Sequence, residues 1–174
     1  TDPPGPVNAY GLTKLAGEYY LQYTWRKHYI VRVAGLFGLT PSRMKGTNFV
    51  EAMLRLGERG TPLRIVSDEY LSPTSARDAA RHIRKLIETD QYGTYHLVNH
   101  GACSWLEFAQ EIFRQSGMNV PITPVTAAEY GAPARRPANS ALENAALQKL
   151  GLDTMPTWQE ALNTYLTERK KIPR

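Results

Sequence analysis

The chain reads as an α/β protein whose sheet is at least partly parallel, and three observations carry that reading. β-Branched runs such as Tyr29-Ile30-Val31-Arg32-Val33-Ala34 follow long helical stretches, the pattern of strands buried between helices. Apolar residues recur every three or four positions in the segments between those runs, as amphipathic helices require. Cap residues open most of these segments, and glycine or proline closes several of them. With 174 residues, 42% of them hydrophobic, the chain can bury a core, and no internal repeat or low-complexity linker interrupts it.

In order, the chain opens on Thr1-Asp2-Pro3-Pro4-Gly5-Pro6, a rigid extended loop without an initiator Met, which reads as a cut from the middle of something longer. Asn8 caps a helix of about Ala9 to Lys27, with Leu12, Leu15, Ala16, Tyr19 and Tyr20 as its apolar stripe. The strand from Tyr29 to Ala34 ends in Gly35-Leu36-Phe37-Gly38. Such a strand-ending loop borders the region where open α/β sheets bind ligands, and it is equally an ordinary turn. Lys45-Gly46-Thr47 leads into a helix of about Asn48 to Arg59 with Phe49, Met53, Leu54 and Leu56 apolar. Gly60-Thr61-Pro62 turns the chain into a strand, Leu63 to Val66.

Pro73 then opens a helix of about Ser75 to Thr89, whose apolar face is Ala79, Ala80, Ile83, Leu86 and Ile87; His82 falls at its surface or boundary. Gly93 to Val98 is a strand. Ser104 caps a helix from Trp105 to Ser116, Glu107 completes a capping box and Gly117 stops it. Val120 to Val125 is an edge strand, because Pro121 and Pro124 exclude a central position. Ala127 to Tyr130 is a helical turn. Helices of about Glu143 to Leu150 and Thr157 to Arg169 lead to a polar carboxyl end.

The net charge is +5 and the pI about 9.4, yet the bases are dispersed and mixed with acids. No basic arm, helix-turn-helix signature or zinc-ligand spacing occurs, so nucleic acid is not the expected partner and no metal site is expected. A positive surface suits an anionic small molecule, and solvation alone accounts for it as well. Cys103 is the single cysteine, which rules out an internal disulfide, fits packing, and suits a reducing, cytoplasmic setting. No apolar run reaches membrane-spanning length. Neither glycine-rich dinucleotide turn, Gly-x-Gly-x-x-Gly nor Gly-x-x-Gly-x-x-Gly, is present.

Two stretches carry chemistry. Tyr10 and Lys14 stand one helical turn apart and so share a side of the first helix. An ammonium ~4 Å from a phenolate at an effective dielectric of ~20 stabilises it by roughly 4 kcal/mol, which would draw the phenol toward neutral-pH proton transfer. By spacing alone the pair is weak, since Tyr-x-x-x-Lys is common on exposed helices. In Pro133-Ala134-Arg135-Arg136-Pro137-Ala138-Asn139-Ser140, two guanidiniums between prolines make a fork for a diphosphate, or simply a basic surface loop.

Pro6-Val7-Asn8-Ala9-Tyr10-Gly11-Leu12-Thr13-Lys14 followed by Leu15-Ala16-Gly17-Glu18 resembles the catalytic helix of the extended short-chain dehydrogenase/reductase superfamily. Asn48-Phe49-Val50, Leu71-Ser72-Pro73-Thr74, Cys103-Ser104-Trp105-Leu106-Glu107-Phe108 and the Arg135-Arg136 loop extend the likeness through nearly the whole chain. They narrow it to the dTDP-4-dehydrorhamnose reductase family. The resemblance implies the second half of a Rossmann-type parallel sheet plus a small mixed α/β substrate-binding subdomain. Residues 1–38 would end the dinucleotide-binding domain and carry the catalytic helix. Residues 39–174 would form the substrate portion, interleaved with the last Rossmann strands and helices.

The same resemblance implies reduction of the 4-keto group of dTDP-4-dehydro-L-rhamnose by NADPH or NADH. Tyr10 would donate the proton, Lys14 would hold the nicotinamide ribose, Ala34 and Gly35 would line the nicotinamide end, and Asn48 and Arg136 would lie on the substrate side. A homodimer is a possible assembly, and the 174 residues alone are expected to be inactive. Many members carry Trp at the position of Gly35 and Asp-Gln-x-Gly-x-Pro-Thr where this chain has Asp68-Glu69-Tyr70-Leu71-Ser72-Pro73-Thr74, which leaves the sugar open. The alternatives are another sugar-nucleotide reductase or epimerase, and a non-catalytic regulatory binding subunit of the same fold.

Overall fold

A computed structural model describes residues 2–40 and 46–171. The parts of the sequence reading that fall on Thr1, on Lys45 and on residues 172–174 lie outside them. In chain order the elements are α1 (Ala9–Thr24), β1 (Tyr29–Arg32), β2 (Leu36–Phe37), α2 (Phe49–Glu58), β3 (Leu63–Val66), β4 (Tyr70–Leu71), β5 (Thr74–Ser75) and α3 (Ala76–Ile87). Then come β6 (Gly93–His96), β7 (Cys103–Ser104), α4 (Trp105–Ser116), β8 (Ile122–Val125), α5 (Ala127–Tyr130), β9 (Asn139–Ser140), α6 (Ala145–Lys149) and α7 (Trp158–Arg169).

Parallel pairing dominates. β1 lies beside β6 with Tyr29 opposite Gly93, β2 beside β5, and β3 beside β8, all parallel. β4 joins β7 antiparallel on one side and β9 parallel on the other. Pairing of β1 with β6 places strands from the two ends of the expected domain division in one sheet. β8 has β3 as its one partner among the described residues, in keeping with Pro124 within it and Pro121 just before it.

The larger core forms where α2, α4 and α7 meet. Phe37 packs 5.9 Å from Phe108 and 5.5 Å from Tyr165 between ring centroids, and Phe108 meets Trp158 edge-on at 5.6 Å. Ile112, Leu162 and Val50 fill the space between them, and Cys103 is buried in the same cluster. A second cluster gathers Leu86, Tyr95, Leu97, Leu147 and Met155 beneath β6. Two buried asparagines weld the end of that strand. Asn144 accepts from Val98 N at 2.9 Å and donates to Val98 O at 2.8 Å, imitating a strand partner. Asn99 accepts from Ser75 N at 2.7 Å and donates to Pro156 O at 3.2 Å.

Several expectations need correction. α1 stops at Thr24, three residues early, because Trp25 turns to extended backbone to start the crossing to β1. Its apolar stripe is not a packing face: no residue of α1 is buried, and Leu12 and Tyr20 stand 59% and 73% exposed. β6 ends at His96, since Asn144 takes over the pairing of Val98. Pro73 does not open α3 directly; β4 and β5 flank it, and Ser75 caps the helix by accepting from Asp78 N. The buried face of α3 is Ala79, His82 and Leu86, with Ala80 and Ile87 exposed. His82 tolerates burial because Nδ1 meets the Asp78 carbonyl at 2.9 Å and Nε2 meets Thr154 Oγ1 at 3.0 Å. The Gly35–Gly38 loop contains β2.

Glu51 ties α2 to α7. Its carboxylate accepts from Tyr165 Oη at 2.5 Å and from Arg169 Nε and Nη2 at 2.6 and 3.0 Å. Burial pushes its pKa up, but the bonds from Arg169 and Tyr165 outweigh that and hold the carboxyl below its usual range. A carboxyl depressed by folding adds stability above its unfolded pKa, ~4.3 for Glu, and loses it as the pH falls through the folded value. Glu51→Gln should therefore lower the urea midpoint at pH 7 and narrow the difference between the midpoints at pH 7 and pH 3; an unchanged difference would refute the linkage.

Candidate active site

The site is built from the amino end of α1. Asn8 has extended backbone and its Oδ1 accepts from Gly11 N at 2.9 Å, closing the first turn. Gly11, Leu15, Glu18 and Leu21 form the half-buried side of α1. Glu18 receives three hydrogen bonds from Arg32 at the end of β1, two from Nε at 3.0 and 3.1 Å and one from Nη2 at 2.6 Å. That bond matches six residues of helix, ~9 Å, against three residues of strand, ~10 Å, so α1 runs back along β1 in the opposite sense. Continuing up the helix by 1.5 Å per residue carries Lys14 about 6 Å and Tyr10 about 12 Å beyond the level of Arg32. Both therefore stand above the carboxyl end of β1, where Ala34 and Gly35 emerge.

Tyr10 is 72% exposed, and Lys14 Nζ lies 5.4 Å from its ring centroid. The two side chains face each other at an open edge, with the ammonium over the ring. Gly35 and Ala34 are half-buried; Thr74 N donates to Gly35 O at 3.1 Å and holds the strand end. Gly35 has φ +51, and a Cβ there would sit 2.6 Å from Leu71 Cδ1 and 3.2 Å from Pro73 Cα. Leu71 occupies the space that a side chain at position 35 would need.

Asn8 also reaches across the fold: its Nδ2 donates to the Arg135 carbonyl at 2.8 Å. The structure thus brings Tyr10, Lys14 and the Arg135-Arg136 loop to one end of α1. Arg135 and Arg136 are exposed and make no ion pair among the described residues. Asn48 is placed differently. It caps α2 by accepting from Glu51 N at 3.0 Å, and its Nδ2 donates to Gly38 O at 2.8 Å. Both ends of its amide are thereby engaged, and no hydrogen bond among the described residues joins it to the Tyr10–Lys14 pair. The sequence reading saw Asn8 as a cap and missed its second bond; an asparagine where serine would cap as well leaves a spare donor, but its target is 127 residues away.

A cavity of about 720 Å³ between α3 and α7, lined by Arg77, Arg81, His82, Thr154 and Glu160, touches none of these residues. Its volume reflects an open groove between two helices. No group of three or more His, Cys, Asp or Glu among the described residues could hold a metal ion. Among the described residues no helix is long and apolar enough to cross a membrane.

A sequence model of the family described as the RmlD substrate binding domain matches residues 1–171. The chain belongs to that family. Within the RmlD substrate-binding family it is 40% identical over 168 residues to the spore coat polysaccharide biosynthesis protein SpsK of Bacillus subtilis, covering 97% of this chain and 57% of that protein. It is 35% identical over 179 residues to the dTDP-4-dehydrorhamnose reductase of Salmonella typhimurium, covering 97% and 58%. The chain spans just over half the length of these relatives. The crystal structure of dTDP-4-dehydrorhamnose reductase from Bacillus anthracis in complex with NADP superposes with a TM-score of 0.90 at 41% identity, covering 96% of this chain and 58% of that one. UDP-glucose 4-epimerase of Thermus thermophilus, at 17% identity and a TM-score of 0.78, shares the fold. The α/β class with Rossmann-like parallel strands is that of these neighbours.

The left-handed backbone at Gly35 and its contact with Leu71 set a cost for any side chain there. Gly35→Ala should destabilise the protein by more than about 1 kcal/mol, read as a lowered urea midpoint, because αL alone costs an L-residue roughly 1–2 kcal/mol and Leu71 must move as well. A variant as stable as the parent would show that position 35 does not hold this conformation.

Proposed function

We propose that this chain is the catalytic-helix and substrate portion of an NAD(P)H-dependent reductase that converts the 4-keto group of dTDP-4-dehydro-L-rhamnose to the alcohol. The observation that carries the reading is the convergence at one end of α1: an exposed phenol with an ammonium over its ring, and an unpaired double-arginine loop bonded to the residue that starts the helix. The relatives' names supply the sugar nucleotide, and the Bacillus anthracis structure supplies the nicotinamide nucleotide.

The residues present fit the ribose end of such a cofactor. Lys14 Nζ is exposed and has no carboxylate partner among the described residues, so its three donors are available to ribose hydroxyls. Gly35 and Ala34, just past the end of β1, would border the nicotinamide end, with Leu71 filling the space beside Gly35. The bound cofactor supplies the hydride. Tyr10 Oη donates its proton to the carbonyl oxygen as that oxygen gains negative charge, and the Lys14 ammonium offsets the charge left on the phenol. Arg136, with Arg135, takes the diphosphate of the sugar nucleotide, where planar guanidiniums bind two oxygens at once. Asn48, which caps α2 and holds the Gly38 carbonyl, would border the substrate side.

No glycine-rich dinucleotide turn occurs in these residues, so turnover needs a dinucleotide-binding half besides them, and the isolated chain is expected not to titrate with micromolar NADPH. The decisive assay follows NADPH oxidation with dTDP-4-dehydrorhamnose in a chain where these residues accompany such a half. Tyr10→Phe should lower kcat about 10²- to 10⁴-fold with the sugar-nucleotide KM little changed. Lys14→Met should also raise the KM for NADPH. Full turnover by Tyr10→Phe would overturn the assignment.

A further inference from the structure

We infer that Asn8 is a positioning residue that sets the Arg135-Arg136 loop for diphosphate recognition, coupling substrate binding to the helix that presents Tyr10. The inference rests on the reductase reading for the identity of the ligand, and on geometry for the coupling itself. One amide performs two tasks: Oδ1 accepts from Gly11 N at 2.9 Å and closes α1, and Nδ2 donates to Arg135 O at 2.8 Å. Among the side chains that cap helices well, Asp has no donor, and Ser and Thr have no second polar atom to spare.

The loop has little else to fix it. From Ala132 to Pro137 the bond from Asn8 is the one hydrogen bond to the rest of the chain among the described residues. Beyond it, Tyr70 N binds Ala138 O at 2.8 Å and Ser140 Oγ donates to Tyr70 O at 3.0 Å, so the loop is anchored on its downstream side by β4. Pro133 and Pro137 stiffen the segment but cannot donate. Holding the Arg135 oxygen also fixes more than one atom. The peptide between Arg135 and Arg136 is planar, so its orientation and the Cα of Arg136 follow from it. Pro137 restricts Arg136 to extended backbone. The Asn8 bond therefore selects the side of the chain from which the Arg136 guanidinium projects, at the same helix end where Tyr10 stands.

Two variants separate the tasks. Asn8→Asp and Asn8→Ser each keep a good cap, and each removes the donor that reaches Arg135 O. Both should keep the thermal midpoint of the parent, while trypsin cleaves the native protein between Arg135 and Arg136 several-fold faster. In the reductase-competent chain both should raise the KM for the sugar nucleotide and weaken inhibition by dTDP roughly five- to tenfold, with KM rising more than kcat falls. Cleavage at the parental rate in both variants would overturn the coupling. Faster cleavage with unchanged KM and dTDP inhibition would overturn its role in recognition. If the parent chain neither binds dTDP nor turns over, the reductase reading fails, and the cleavage rates still decide whether Asn8 holds the loop.

Discussion

The ion pair between Glu18 and Arg32 fixes α1 on the sheet, and Tyr10 and Lys14 take their position at the open carboxyl edge from that attachment. A 16-residue helix is marginal by itself in water, and α1 buries no residue completely. Capping by Asn8 stabilises the first turn but does not orient the helix. Orientation comes from the two-pronged contact of Arg32 with Glu18, whose side chains are 28% and 18% exposed and so are partly shielded from screening. Because the strand partner is the last residue of β1, the helix cannot slide without breaking the pair. Lys14 and Tyr10 are carried past the strand end as a consequence of helical rise alone.

Local signals were legible wherever the chain's neighbours in sequence decide the structure. Ser104, Glu107 and Gly117 mark both ends of α4 to the residue, and Gly117 does adopt the left-handed conformation that a glycine stop implies, φ 68. α7 runs over Trp158–Arg169, within a residue of its expected start, where Thr157 and Glu160 form a capping box. The two-residue strands β2, β4, β5, β7 and β9 were not legible, because two residues have no periodicity and pairing partners supply all of their order. His82 was misplaced since an imidazole is buried only when both nitrogens find partners, and Thr154 is 72 positions away. Spacing alone offered a hint there: Ala79, His82 and Leu86 fall on one helical stripe.

For the site, the Tyr10–Lys14 juxtaposition followed from the helical period. The bond from Asn8 to the Arg135 carbonyl did not, since no property of either segment encodes a bond across the whole fold. The same limit applies to Leu71 over Gly35. Each residue looks unremarkable in its own stretch; together they leave Leu71 to supply the bulk beside the strand end.

Burial and polar tethering divide the site between them. Phe37, 2% exposed, is held among Phe108 and Tyr165, and Thr74, fully buried, holds Gly35; the strand end is therefore fixed by the core that α2, α4 and α7 build. Tyr10 and the two arginines are fixed instead by hydrogen bonds and an ion pair near solvent. A packed core has few alternative arrangements, whereas a tether of one or two polar contacts opens at small free energy. The strand end is thus rigid by construction, and Tyr10 and the arginine loop are the parts with freedom to shift. In the reductase proposed above, that asymmetry would bring the carbonyl to a fixed edge, with Tyr10 and the arginine loop settling onto it from the side held by the weaker attachments.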